Sequence, residues 1–181
     1  MKKVILATLI SGAMVTSAFA ATDAGSGSVT FTGSIIEAAC SIAPDSVDQT
    51  VELGAVASSQ LADNGKSAPQ TFEIELQNCD MTFVTDAGTP VKTVSATFTG
   101  GISANDTTST QLAIVGSAAG AGVVITGSNG VPVKLDGSVS TAPVAIQNGK
   151  NVLQYAAYLQ GNDTVVPGDF TALTNYTLSY E

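Results

Sequence analysis

The chain has 181 residues, six basic and fifteen acidic side chains, no histidine and a formal net charge of −9. An acidic chain without arginine excludes nucleic acid as a partner, because phosphate backbones are held by clustered Lys and Arg. The absence of histidine removes Ser–His, Cys–His and histidine–metal chemistry.

Lys2 and Lys3 precede an apolar stretch from Val4 to Val15, and Ala18, Phe19 and Ala20 follow it. That order predicts a secretory signal over residues 1–20, with a mature chain starting at Ala21. The stretch is shorter than the roughly 18 apolar residues a membrane helix needs, and no later run approaches that length, so the mature chain is expected to be soluble. It has 161 residues (181 minus 20) and a charge of −11 (four lysines against fifteen acids), which suits one domain with its own core.

After a Gly/Ser-rich leader, residues 27–35 alternate strictly: Val29, Phe31, Gly33 and Ile35 take one face, and Ser28, Thr30, Thr32 and Ser34 the other. A strand with one sticky face is expected there. Cys40 and Cys79 are expected to pair as a structural disulfide, because an exported chain meets an oxidising compartment and there is no CxxC redox signature.

Beyond Cys40 the chain is rich in Thr, Val, Gly and Ala, with short apolar runs separated by turn signals such as Asp63-Asn64-Gly65, Asp86-Ala87-Gly88, Asn129-Gly130 and Asp136-Gly137. Strands are predicted over 72–76, 94–98, 112–115, 123–126, 131–135, 152–159 and 176–180, with a loop over 103–110 and little helix. Seven short strands suggest a sandwich. The last residues alternate as cleanly as the arm, with Tyr176, Leu178 and Tyr180 on one face. A sheet that ends on such a strand is expected to lack a neighbour.

The sequence resembles the subunits of chaperone-usher fimbriae, most nearly the major subunit of type 1 pili, over almost its full length. The carriers are the alternating arm ending in Ile35-Ile36-Glu37-Ala38-Ala39-Cys40, the stretch from Ser46 to Gly54, and Ile74-Glu75-Leu76-Gln77-Asn78-Cys79. Gly168, fourteenth from the end, and the penultimate Tyr180 match the family's C-terminal signature. The resemblance implies an all-β, incomplete immunoglobulin-like sandwich lacking its last strand and completed by donor-strand exchange. It divides the chain into the signal (1–20), a donor-strand extension (21–36) and the pilin domain (37–181). Val29, Phe31, Gly33 and Ile35 would enter a neighbour's groove, and Gly168, Tyr176, Leu178 and Tyr180 would belong to the accepting and chaperone-binding strand. The implied partners are further copies of the chain, a periplasmic chaperone whose basic residues hold the terminal carboxylate, an outer-membrane usher, and a tip adhesin or adaptor. The implied destination, reached through the periplasm, is a surface fimbria that supports adhesion.

Other readings are weaker. Glu73 and Glu75 share one strand face and read as a solvated edge rather than an acid–base pair, so no enzyme and no cofactor is expected. Asp136, Asp163 and Asp169 lack the spacing of a calcium loop, and no metal is expected. The sequons at Asn105, Asn162 and Asn175 are read as accidental. The alternative function is a single-domain adhesin or minor adaptor of the same assembly class that binds a host receptor directly.

Overall fold

The computed structural model describes residues 27–84 and 88–181. The expected signal, the first six residues of the expected arm and the Asp86-Ala87 turn lie outside the described residues. The chain forms two units, Met1–Ile35 and Ile36–Glu181.

In the first unit, residues 27–35 carry no helix or strand. The strand expected there does not form within the chain, because a lone strand has no ladder partner and its amides and carbonyls stay hydrated.

The second unit is almost all β. It begins with β1 (Ser41–Ile42), the four-residue helices α1 (Pro44–Val47) and α2 (Ser58–Leu61), and β2 (Gln70–Cys79). Then come β3 (Thr93–Gly100), β4 (Gln111–Ala113), β5 (Val115–Gly116), β6 (Ala119–Gly127) and β7 (Val144–Ala145). The domain closes with β8 (Gly149–Val166), β9 (Phe170–Thr171) and β10 (Thr174–Tyr180). One sheet has the order β1-β2-β8-β6-β4, a second the order β10-β3-β7, and β5 with β9 forms a short ribbon.

Period-two alternation builds the core between the sheets. Ile74 and Leu76 of β2 point inward while Glu73 and Glu75 point out, and Ile74 sits opposite Leu153 of β8. From the facing sheet Phe98 of β3 meets the Tyr155 ring edge-on, 5.1 Å between centroids. Phe98, Ile74, Leu76, Leu135, Leu153, Val91 and Val94 are fully buried.

The strand expected over 131–135 is replaced by loop. Pro132 has no N–H to donate and leaves a single bridge to Thr126, yet Val133 and Leu135 still bury their side chains, their amides donating to Ile125 and Ser109 carbonyls. The run 112–115 splits at Ile114 into β4, which pairs with β6, and β5, which pairs with β9. The strand expected over 152–159 extends to the full length of β8, which has β2 on one edge and β6 on the other. Close approach explains Gly120, at φ 76°, where an added Cβ would lie 1.6 Å from the Thr164 carbonyl oxygen.

The Asp136-Gly137 turn is tied by the Ser138 hydroxyl and amide, which both donate to the Asp136 carboxylate and hold its pKa down from the ordinary 3.8 to about 2. A depressed carboxyl contributes stability that is present above pH 3.8 and is lost as pH falls through about 2. A carboxyl NMR titration is therefore expected to give Asp136 a midpoint near 2, and a midpoint near 3.8 would show that these turn bonds do not form in solution.

Candidate functional site: the open edge of β10

β10 runs antiparallel to β3 without a break in register, with Tyr176 opposite Phe98, Leu178 opposite Ala96 and Tyr180 opposite Val94. Its other edge has no strand partner among the described residues. Asn175, Thr177 and Ser179 face solvent, and Tyr176, Leu178 and Tyr180 pack against the core. Their burial differs from that of their partners: Phe98, Ala96 and Val94 are at most 1 % exposed, whereas Tyr176, Leu178 and Tyr180 are only half-buried. The core is thus closed over β3 and open over β10, where apolar side chains and an unpaired ladder edge coincide. Such an edge is a template for strand addition.

The segment that Tyr176 meets is the turn at α1. Pro44 starts it, needing no amide partner at a helix's first position. Ser46 is buried, and its hydroxyl accepts the Glu75 amide at 2.9 Å, which fixes the turn on β2. The Tyr176 hydroxyl donates to the Ser46 carbonyl at 2.7 Å. Burial pushes the Tyr176 phenol up, and the Asp48 carboxylate nearby adds to the shift. Burial likewise raises Tyr180, with Tyr176 as the second cause. The ladder continues past β10, since the Glu181 amide donates to the Thr93 carbonyl and a Glu181 oxygen accepts from the Lys92 and Thr93 amides at 2.7 and 2.8 Å.

The residues singled out from the sequence fall into separate places. Val29, Phe31 and Ile35 are exposed, Phe31 by 90 %, and a Cβ added at Gly33 would meet nothing within 4 Å. A need for glycine at 33 thus does not come from packing among the described residues. Gly168 lies before β9, apart from β10, where a Cβ would be 2.5 Å from the Ala118 amide nitrogen and the Ser117 hydroxyl oxygen. Its neighbour Asp169 is bound on both sides, its carbonyl accepting from the Ser117 and Ala118 amides and its own amide donating to the Ser117 hydroxyl. Gly168 therefore allows the close approach that seats the β5–β9 ribbon. Cys40 and Cys79 form a buried disulfide that clips the start of the domain to the end of β2. Glu75 pairs with Lys150 at 2.7 Å and Glu73 accepts from Gln154 at 3.1 Å, so both carboxylates are satisfied by the neighbouring strand.

Sequence reasoning missed the Ser46–Tyr176 bond. A tyrosine at an inward strand position needs an acceptor for its hydroxyl, which was the available signal, but the acceptor is a backbone carbonyl 130 residues away.

A family profile described as fimbrial protein matches residues 29–181. Fimbria A protein of Serratia marcescens is 46 % identical over 184 aligned positions, covering 100 % of this chain and 99 % of the relative. The major MR/P fimbria protein of Proteus mirabilis is 43 % identical, covering 89 % of this chain and 87 % of the relative. Among solved structures, the P pilus rod subunit PapA superposes with a TM-score of 0.70 at 35 % identity, covering 80 % of this chain and 100 % of that one. A chaperone-usher pilus structure that addresses rod uncoiling gives 0.74 at 33 % identity, covering 87 % and 97 %.

Proposed function

The chain belongs to the fimbrial protein family, and we propose that residues 27–35 of one copy complete the sandwich of the next by pairing with the free edge of β10. The protein is a structural subunit of the shaft of a bacterial surface fimbria, an incomplete immunoglobulin-like sandwich that polymerises with copies of itself.

The observation that carries the strand-exchange assignment is the half-covered inward face of Tyr176, Leu178 and Tyr180, set on an edge without a strand partner among the described residues. Val29, Phe31 and Ile35 offer the complementary surface, apolar at alternate positions and exposed. An incoming strand supplies ladder bonds to β10 and a row of side chains to the open core. Because it closes the acceptor's own core, its loss also uncovers that core, and detachment is slow.

Before assembly the same edge needs cover. A periplasmic chaperone lending a strand, and an outer-membrane usher directing the exchange, meet that need, with export through the periplasm as the route. A tip adhesin or adaptor at the fibre's end completes the assembly. The subunit's role is mechanical, with no catalytic step.

Fibres sheared from the surface of the producing cells are expected to contain this protein, starting at Ala21, as their most abundant component in mass spectrometry. Fibres in which it is absent or a trace component would refute the shaft assignment.

A further inference from the structure

The Tyr176–Ser46 bond is anchored at both ends. On one side, the Ala43 amide donates to the Glu75 carbonyl at 2.9 Å, the Ser46 hydroxyl accepts the Glu75 amide, and the Gln49 side-chain amide donates to the Glu73 carbonyl at 2.9 Å. These bonds stitch residues 43–49 to β2. On the other side, Tyr176 sits within the unbroken β10–β3 ladder, its ring 6.3 Å from that of Phe98.

Apolar surface left open on one flank drives the two walls to close over it, or lets them splay. A tyrosine whose ring rests on a buried Phe98 and whose hydroxyl is held by a fixed carbonyl resists both movements. Closure would drive the ring into the core, and splaying would break a bond in a partly dry place. From this geometry, and resting on the strand-exchange reading above, we infer that Tyr176 is a positioning residue: its bond to the Ser46 carbonyl holds the acceptor groove at a set width and persists when a donor strand is seated.

Loss of the hydroxyl does not strand the acceptor, because the Ser46 carbonyl also accepts from the Gln49 amide at 3.3 Å. The fold therefore tolerates Tyr176→Phe, and the effect falls on strand capture.

The test uses the full mature chain, refolded at high dilution and offered a fluorescent synthetic peptide of residues 27–36. Wild type is expected to take up the peptide. Tyr176→Phe is expected to stay folded without peptide, its melting temperature falling by no more than one hydrogen bond is worth, but to bind peptide about two- to tenfold more weakly because its groove is no longer held at a set width, with most of the loss in the association rate. Tyr176→Leu, which removes the ring as well, is expected to lose more. Independently of any variant, the carbon-13 shift of Tyr176 Cζ in the wild type should keep its hydrogen-bonded value when peptide binds. Unchanged capture by Tyr176→Phe, or a Cζ shift that moves to the solvent value on binding, overturns the positioning role alone. Failure of wild type to take up the peptide at all overturns the strand-exchange reading and this inference with it.

Discussion

Cells producing the chain without residues 21–35 are expected to make no fibres, while the truncated subunit still folds and accumulates as a complex with the strand-lending chaperone proposed above. In the proposed exchange, burial of Val29, Phe31 and Ile35 at about 1.5–3 kcal/mol each supplies roughly 5–9 kcal/mol per junction as an upper bound, and ladder bonds add about 0.5–1.5 kcal/mol each. Without the arm a junction loses all of this at once, so even the lower figure moves the equilibrium by more than a thousandfold. None of it is lost from the truncated subunit's own core, because Val29, Phe31 and Ile35 are exposed in the chain alone. Electron microscopy of whole cells and chromatography of periplasmic extracts provide the two readouts. Fibres of normal length from the truncated chain would show that subunits join by another surface.

Replacement of both cysteines by serine, Cys40→Ser with Cys79→Ser, is expected to destabilise the subunit by about 4 kcal/mol, the chain-entropy figure for a closed loop of about 40 residues. For a domain of this size that corresponds to a melting temperature lower by roughly 8–16 °C. The structure adds a local reason for a large effect. The bridge clips residue 40 to the end of β2 next to the two-residue β1, whose pairing with β2 spans only Ser41–Gln77 and Ile42–Leu76. Without the clip that short pairing has little to hold it, and residues 43–49, which carry the Ser46 carbonyl, are held to β2 by their hydrogen bonds alone. Calorimetry of the subunit with and without reductant checks the figure. A melting temperature unchanged on reduction would place the stability of this corner elsewhere.

The parts of the site differ in how legible they were. Tyr176, Leu178 and Tyr180 could be placed on one face from alternation alone, since side-chain period in a strand follows from backbone geometry. That this face is only half covered depends on what packs opposite it, which alternation does not encode. Gly168 matched by position from the end, but its physical task, the close approach to Ser117 and Ala118, emerges from the ribbon of β5 with β9. Each of those strands is two residues long, too short to leave a periodic signal. The arm shows the opposite case. Its pattern reads as a strand, yet the described part of the chain gives it no ladder partner, and residues 27–35 form none.

By itself the sequence determined the all-β class, the pairing of its two cysteines and the apolar faces of its two alternating ends. These follow from composition, local period and redox compartment, which act over a few residues or over the whole chain. Tertiary structure alone decided that β8 extends well beyond 152–159 to lie between β2 and β6, that Leu135 is buried without a ladder, and that a carbonyl near α1 meets a hydroxyl on β10. Those outcomes depend on contacts between residues far apart in sequence, and their energies exist only once the intervening chain has closed.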